Sequence, residues 1–215
     1  REVEVHTHLV RGLNAAEVIS ETCGELDCDL IVMGTHGRRG LGHLFLGSVT
    51  ESVVRTAPAP VLTVRPDAPL PSDGVSRILV PHDFSVQSAE AVRHAGAWAL
   101  AFGAEVTLYH VVEPVVYPEF YAVDLLPDEM RGRIKERSLE ALQKAADDLL
   151  PGVNAHVEVV VGRASEKIVD AAVPDRFDLV VMGTKGLSAV EHLLMGSVAE
   201  NVLRRCQLPL LAVRS

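Results

Sequence analysis

The stretch Val180–Val198, VVMGTKGLSAVEHLLMGSV, decides how the rest of the chain is read. A short apolar run leads into a glycine loop, and Gly196-Ser197 then opens a helix. Strand, glycine loop and helix N-terminus in that order form the phosphate-binding turn of parallel α/β folds. The same stretch stands earlier as Ile31–Val49, IVMGTHGRRGLGHLFLGSV, at a constant shift: 34 + 149 = 183, 37 + 149 = 186, 47 + 149 = 196 and 48 + 149 = 197. Both copies read G-x2-G-x9-G-S after D-L-[IV]-V-M-G-T. Gly183 ends the strand where a side chain would block a ligand lying across the strand tips. Gly186 permits a tight turn or a positive φ. Gly196 and Ser197 bring unsatisfied N–H groups and the positive end of a helix dipole to negative charge. The Ser197 hydroxyl either caps the helix or donates to a phosphate.

Working outward, each copy sits in a different length of chain. Val3–Val10, VEVHTHLV, alternates apolar and polar residues and reads as a strand. Asn14 caps a helix from about Ala15 to Leu26, with Glu17 completing a capping box. Leu30–Met33 reads as a buried parallel strand, Gly47-Ser48 starts a helix to about Thr56, and Pro60–Val64 is the last strand of a first module, residues 1–65. Pro66–Ser76, PDAPLPSDGVS, is a linker. A second module, residues 77–215, begins with the strand Arg77–Pro81. Ser85 then caps a helix to about Gly103 whose apolar face is Ala89, Val92, Ala95, Ala97 and Trp98. Glu105–Val112 is its second strand. After Pro114–Tyr121 comes a polar helix, Asp128–Leu150, which reads as a solvated face. Ala155–Val161 repeats the role of Val3–Val10. The expected fold is α/β, with two flavodoxin-like doubly wound parallel sheets, the first carrying only its last three strands. By comparison with the second module, a piece of roughly 70 to 80 residues is expected upstream of Arg1.

Composition narrows the function. The 215 residues carry a formal net charge of −9, which offers no basic surface for a nucleic-acid backbone. An acidic chain can still hold ATP through oriented backbone N–H groups and a metal ion. No apolar run approaches the roughly 18 residues of a membrane span. Cys23, Cys28 and Cys206 lack metal-ligand spacing and form no CxxC pair, so they read as ordinary thiols of a reducing cytoplasm. GxxxxGK[ST], GxSxG and HExxH are all absent, so binding is favoured over turnover.

With ILVPHDFS at Ile78–Ser85, LYHVVEP at Leu108–Pro114, both glycine loops, and the strands PVLTV and PLLAV, the chain resembles the tandem, ATP-binding branch of the universal stress proteins. The resemblance covers essentially the whole chain and implies an adenine nucleotide alpha hydrolase-like fold. By that resemblance, Pro81 and Asp83 would hold adenine and ribose, and Val111 would pack on adenine. Met182, Gly183, Gly186, Gly196, Ser197 and Val198 would surround ribose and phosphates, with Mg2+ bridging the phosphates. His82 departs from relatives, which often carry a small polar residue there, and would narrow or contact the site. The first module has Met33, Gly34, Gly37, Gly47, Ser48 and Val49 but no counterpart of Asp83 or Val111. The resemblance also implies a cytoplasmic, nucleotide-responsive stress protein. Its strands Pro60–Val64 and Pro209–Val213 would pair within the chain or across a homodimer.

Other readings stand beside these. The loops could merely connect strand to helix. Asp83 could serve as an N-cap near Ser85 instead of a ribose ligand. His43 and His192, at equivalent loop positions, read as surface residues, and Arg38, Arg39 and Lys185 as phosphate contacts or as solvated charge. A slow ATPase or nucleotide-transferring enzyme, and a nucleotide-free interaction module, are the alternative functions.

Overall fold

Helix ends fall where the capping chemistry stands. In this computed structural model, which describes residues 3–35, 46–69, 74–113, 128–186 and 195–214, helix α1 spans Ala15–Glu25. Asn14 Oδ1 accepts from Ala16 N–H at 3.0 Å, and its Nδ2 donates to Glu17 Oε1 at 3.0 Å. Asn14 is thus the N-cap expected, but Glu17 bonds its side chain rather than its backbone N–H, so the reciprocal capping box is not formed. Helix α3 (Val86–Phe102) starts at Ser85, whose Oγ accepts from Ser88 N–H at 3.1 Å, and stops at left-handed Gly103, φ 71°. The remaining elements are β1 (Ile31–Gly34), α2 (Ser48–Thr56), β2 (Val61–Val64), β3 (Arg77–Pro81), β4 (Glu105–Val112), α4 (Asp128–Leu149), β5 (Ala155–Val161), α5 (Ala164–Ala171), β6 (Leu179–Gly183), α6 (Ser197–Arg205) and β7 (Leu210–Val213).

The strands form one seven-stranded sheet in the order β1-β2-β7-β6-β3-β4-β5, parallel except between β2 and β7. Alternate strand residues feed two cores. Leu79, Val180 and Met182 pack with α1, α2, α5 and α6, whereas Ile78, Val80, Val106 and Val181 pack with α3 and α4. The buried stripe of α3 is Ser88, Ala91, Val92, Ala95, Gly96 and Ala99. This corrects the expected face: Val92 and Ala95 belong to it, but Ala97 is exposed and Ala89 and Trp98 are half-buried. The 3.6-residue period was right, but in a run of alanines the sequence does not mark which stripe faces inward. Helix α4 is the solvated surface expected, anchored by buried Leu142 and Ala146.

Two expectations fail near the start of the chain. Val3–Val10 is irregular and exposed, with Leu9 at 93%. Its counterpart β5 is held by pairing with β4, and no described strand lies beside Val3–Val10, so alternation alone supplies no ladder. Strand β1 is parallel, as expected, but only half-buried: Val32 is 60% exposed on a face that α3 and α4 do not reach.

The seam between the repeats is a pseudo-twofold. Leu62 pairs with Leu211, its own repeat equivalent (62 + 149), while Val61 faces Ala212 and Thr63 faces Leu210. The flanking contacts obey the same axis: Arg65 Nη1 donates to Cys206 O at 3.3 Å, and Arg214 Nη1 donates to Ala57 O at 3.5 Å (57 + 149 = 206, 65 + 149 = 214). Arg204 joins the helices by pairing with Glu51 at 3.1 Å as well as with Glu200 at 2.8 Å. The terminal strands named from sequence therefore close each other's edges within the chain.

Candidate functional site

Within the second repeat the spatial order β5-β4-β3-β6-β7 is wound outward in opposite senses from β3 and β6, which lie parallel. Such a switch point opens a crevice beyond the carboxyl ends of the strands. A cavity of about 310 Å³ lies there. Pro81, His82 and Asp83 reach it from the end of β3, and Val111 from β4. Met182, Gly183 and Gly186 line it beyond β6, and Gly196, Ser197 and Val198 line it at the start of α6.

The loop between β6 and α6 is closed at its base. Thr184 N–H donates to Val213 O at 3.0 Å, and Gly196 N–H donates to Thr184 O at 2.8 Å. Gly196 is the N-cap of α6 and no side chain caps the helix, so the first-turn N–H groups and the dipole's positive end face the cavity region. Ser197 is the first helical residue and exposed; of the two roles open to its hydroxyl, capping is not the one adopted.

Two of the glycines are required for reasons other than those the sequence suggested. Gly186 does not have a positive φ; an ideal Cβ there would lie 2.5 Å from Asp83 Oδ2, so glycine is needed because the carboxylate approaches its backbone. A Cβ on Gly183 would lie 3.0 Å from the Gln87 carbonyl oxygen, which makes close packing of α3 its constraint. At Gly196 the nearest atom would be 3.6 Å away, an ordinary van der Waals contact that a side chain tolerates.

Asp83 and His82 belong to one hydrogen-bond network. Ser85 donates to Asp83 Oδ1 through its N–H (3.1 Å) and its hydroxyl (2.5 Å), so Asp83 stabilises the turn into α3 while Ser85 itself is the N-cap. Ser88 Oγ–H donates to Ser85 O at 2.9 Å, leaving its oxygen to accept from His82 Nδ1–H at 2.5 Å. This assigns the His82 proton to Nδ1. His82 is buried, at 6% exposure. Burial depresses its pKa below 6.5, against the raising effect of Asp83 and with a further lowering by His110. His110 Nδ1–H donates to His82 O at 2.8 Å, and the Phe84 ring, on a backbone with φ 64°, lies over both imidazoles.

Sequence reasoning missed several lining residues: Ser88, Tyr109, His110, Glu113, Ala164 and Ile168. Glu113 Oε1 accepts from Ala164 N–H at 2.6 Å, which caps α5 from beyond the end of β4. Of the missed residues, Glu113 follows the end of β4 and Ala164 lies just beyond β5, so the strand-end rule reaches both, whereas Tyr109 lies inside β4. Lys185, weighed as a phosphate contact, also lines the cavity.

In the first repeat Met33 and Gly34 end β1, and Gly47, Ser48 and Val49 begin α2, but none of them lines this cavity. The base of the turn is the same, with Gly47 N–H donating to Thr35 O at 2.7 Å. Gly37, His43, His192, Arg38, Arg39 and Pro114–Tyr121 lie outside the described residues. No described helix is long and apolar enough to cross a membrane.

Known proteins resemble this chain. A universal stress protein of Methanocaldococcus jannaschii, MJ0531, is 36% identical over 141 residues, covering 64% of this chain and 81% of that protein. The solved structure of MJ0577 from the same organism superimposes with a TM-score of 0.57 at 29% identity, covering 65% of this chain and 96% of the other. A universal stress protein from Archaeoglobus fulgidus matches 93% of this chain and 66% of its own, with a TM-score of 0.67; at 22% identity this shows the fold alone. The sequence model of the universal stress protein family matches residues 1–65 and 74–214. With both repeats matched by that model, the chain belongs to the universal stress protein family.

Proposed function

We propose that this chain is a tandem universal stress protein that binds ATP in its second module and answers nucleotide by changing its partner contacts. One observation carries the reading: all ten second-module residues named from sequence line a single cavity at the switch point. Within it, the N-terminus of α6 and the backbone beside Gly186 suit phosphate oxygens, while Asp83 and Val111 suit ribose and adenine. The closeness of Gly186 to Asp83 supports a fit, because it sets the carboxylate beside the backbone of the turn at one wall of the cavity.

Among the described residues no cluster of three acidic, His or Cys side chains offers a metal cage. Mg2+ would accordingly be held by phosphate oxygens and water. Residues 1–65, 66–76 and 77–215 serve as first module, linker and second module. A homodimer would have to use surfaces other than β2 and β7, whose edges pair with each other. The cytoplasm belongs to the same proposal, with Cys23, Cys28 and Cys206 all free thiols.

Mass spectrometry of nucleotide released from denatured protein, followed by calorimetric titration with ATP, tests the reading. No binding at millimolar ATP would leave an interaction module as the better account.

A further inference from the structure

Helix α1 ends in a Schellman turn built around two thiols. Leu26 is the C-cap and Asp27 follows in the left-handed region at φ 52°. Asp27 N–H donates to Gly24 O at 3.3 Å, and Cys28 N–H donates to Cys23 O at 3.0 Å. This pair of bonds folds the sixth residue back onto the first, whose side chains ordinarily make an apolar contact. Here those two positions are Cys23 and Cys28, and Cys23 Sγ lies 3.9 Å from Cys28 O.

The geometry is that of a bridgeable pair. A 3.0 Å main-chain hydrogen bond between two residues, with standard bond lengths, keeps their Cα atoms within about 7 Å, the limit for a disulfide. Cys28 is exposed and open to a reagent, while Cys23 is buried directly behind it. The second repeat has Ala172 (23 + 149) and Phe177 (28 + 149) at the same positions, both buried in its core. There α5 ends at Ala171 and Phe177 N–H donates to Val173 O, so the turn that brings Cys23 and Cys28 together is not repeated.

We propose that Cys23 and Cys28 form an oxidation site that closes to an intramolecular disulfide by exchange with a small-molecule disulfide such as oxidised glutathione. In the first step the Cys28 thiol loses its proton and its sulfur attacks one glutathione sulfur. This breaks the glutathione S–S bond, releases one reduced glutathione, and leaves a mixed disulfide on Cys28. In the second step Cys23 attacks the Cys28 sulfur, releasing a second reduced glutathione and forming the Cys23–Cys28 bond. The two cysteines are oxidised and one glutathione disulfide is reduced to two thiols. Cys206 is buried, with its thiol donating to Leu208 O at 3.7 Å, and takes no part.

The test uses the whole chain in glutathione buffers of increasing oxidation, quenched by alkylation and digested with trypsin. Cys23 and Cys28 fall in one peptide, between Arg11 and Arg38. The expected product is this peptide two hydrogens lighter than its dithiol form, blocked to alkylation and free of glutathione. Cys23→Ala, which installs the second repeat's own residue, should hold a glutathione adduct on Cys28 that persists at least about tenfold longer than in the parent chain. Cys28→Ser should leave Cys23 reduced. A parent chain that keeps the adduct as long as Cys23→Ala does, alkylates at both thiols in the most oxidising buffer, or links only to a second chain would overturn the proposal. The parent-chain result decides this alone should a variant fail to fold.

Discussion

At residue scale, two glycines of the second loop, Gly196 and Gly186, predict different outcomes on substitution. Gly196 sits at an N-cap with φ −63° and ψ 143°, a conformation any residue adopts, and a Cβ there meets nothing closer than 3.6 Å. Aspartate is a favoured N-cap, so Gly196→Asp should leave the helix and fold intact. It would also occupy the first-turn N–H groups and repel a phosphate. Loss of about tenfold or more in ATP affinity is expected, with an unchanged circular dichroism spectrum. Gly186→Ala acts otherwise, because its Cβ would sit 2.5 Å from Asp83 Oδ2 and displace the carboxylate. It should weaken binding even though alanine brings no charge. Unaltered ATP affinity in both variants would place the phosphates elsewhere.

The buried His82 carries a second residue-scale prediction. Its folded pKa lies below its ordinary 6.5, so between the two values the unfolded chain takes up a proton that the folded chain excludes. Its contribution to stability is complete above pH 6.5 and is lost as the pH falls toward the folded value. Urea denaturation from pH 7.5 down to pH 5 should show this decline, and His82→Asn should flatten it. A slope that survives the substitution would assign the effect to other groups. The sequence singled out His82 as a departure without showing its burial, since the Ser85–Ser88 network that fixes its ring arises only when α3 folds onto β3.

At the scale of elements, legibility followed the local character of the signal. The caps at Asn14 and Ser85 and strands β3 and β4 all follow from short-range chemistry, and each formed within a residue or two of its expected bounds. Val3–Val10 failed because strand formation depends on a neighbour, which no alternation pattern can supply. The Cys23–Cys28 pair was missed because its spacing of five matches no cysteine motif, and only the Schellman turn brings the two together.

The same contrast makes Asp178 and Asp29, equivalent by the 149 shift, behave differently. Asp178 is buried, which by itself would raise its pKa. Donors from the Ser76 hydroxyl, the Arg77 guanidinium and both backbone N–H groups outweigh this and hold it below 3.8. Asp178→Ala leaves those donors unmatched at the start of β3 and should cost about 2–4 kcal/mol in urea denaturation. Asp29 is exposed, and Asp29→Ala should change stability by less than about 0.5 kcal/mol. Similar losses for the two would mean that the ladder from β6 to β3 does not depend on Asp178.

At the scale of the whole molecule, the pseudo-twofold relates two phosphate turns that are not equally equipped. The second has Pro81 to Asp83, Val111, Gly186, Gly196 and Ser197 around one cavity, which on the proposed function would serve the base, the sugar and the phosphates. The first reproduces the turn's base, Gly47 to Thr35, but this chain supplies no counterpart of Asp83 or Val111. Losing two or three adenosine contacts at about 1–1.5 kcal/mol each weakens binding by roughly one to three orders of magnitude. Calorimetry on this chain should therefore give about one tight ATP per chain. Asp83→Ala should remove that site and Gly196→Asp weaken it severely. Gly47→Asp, the mirror substitution at a cap of nearly the same conformation, φ −61° and ψ 136°, should leave it almost unchanged. Because the mirror pair adds the same charge and side chain at equivalent helix ends, a general effect on fold or net charge would appear in both. Two sites of equal affinity, or equal losses from the two glycine variants, would show that the first turn holds nucleotide without the adenosine contacts on which the second relies.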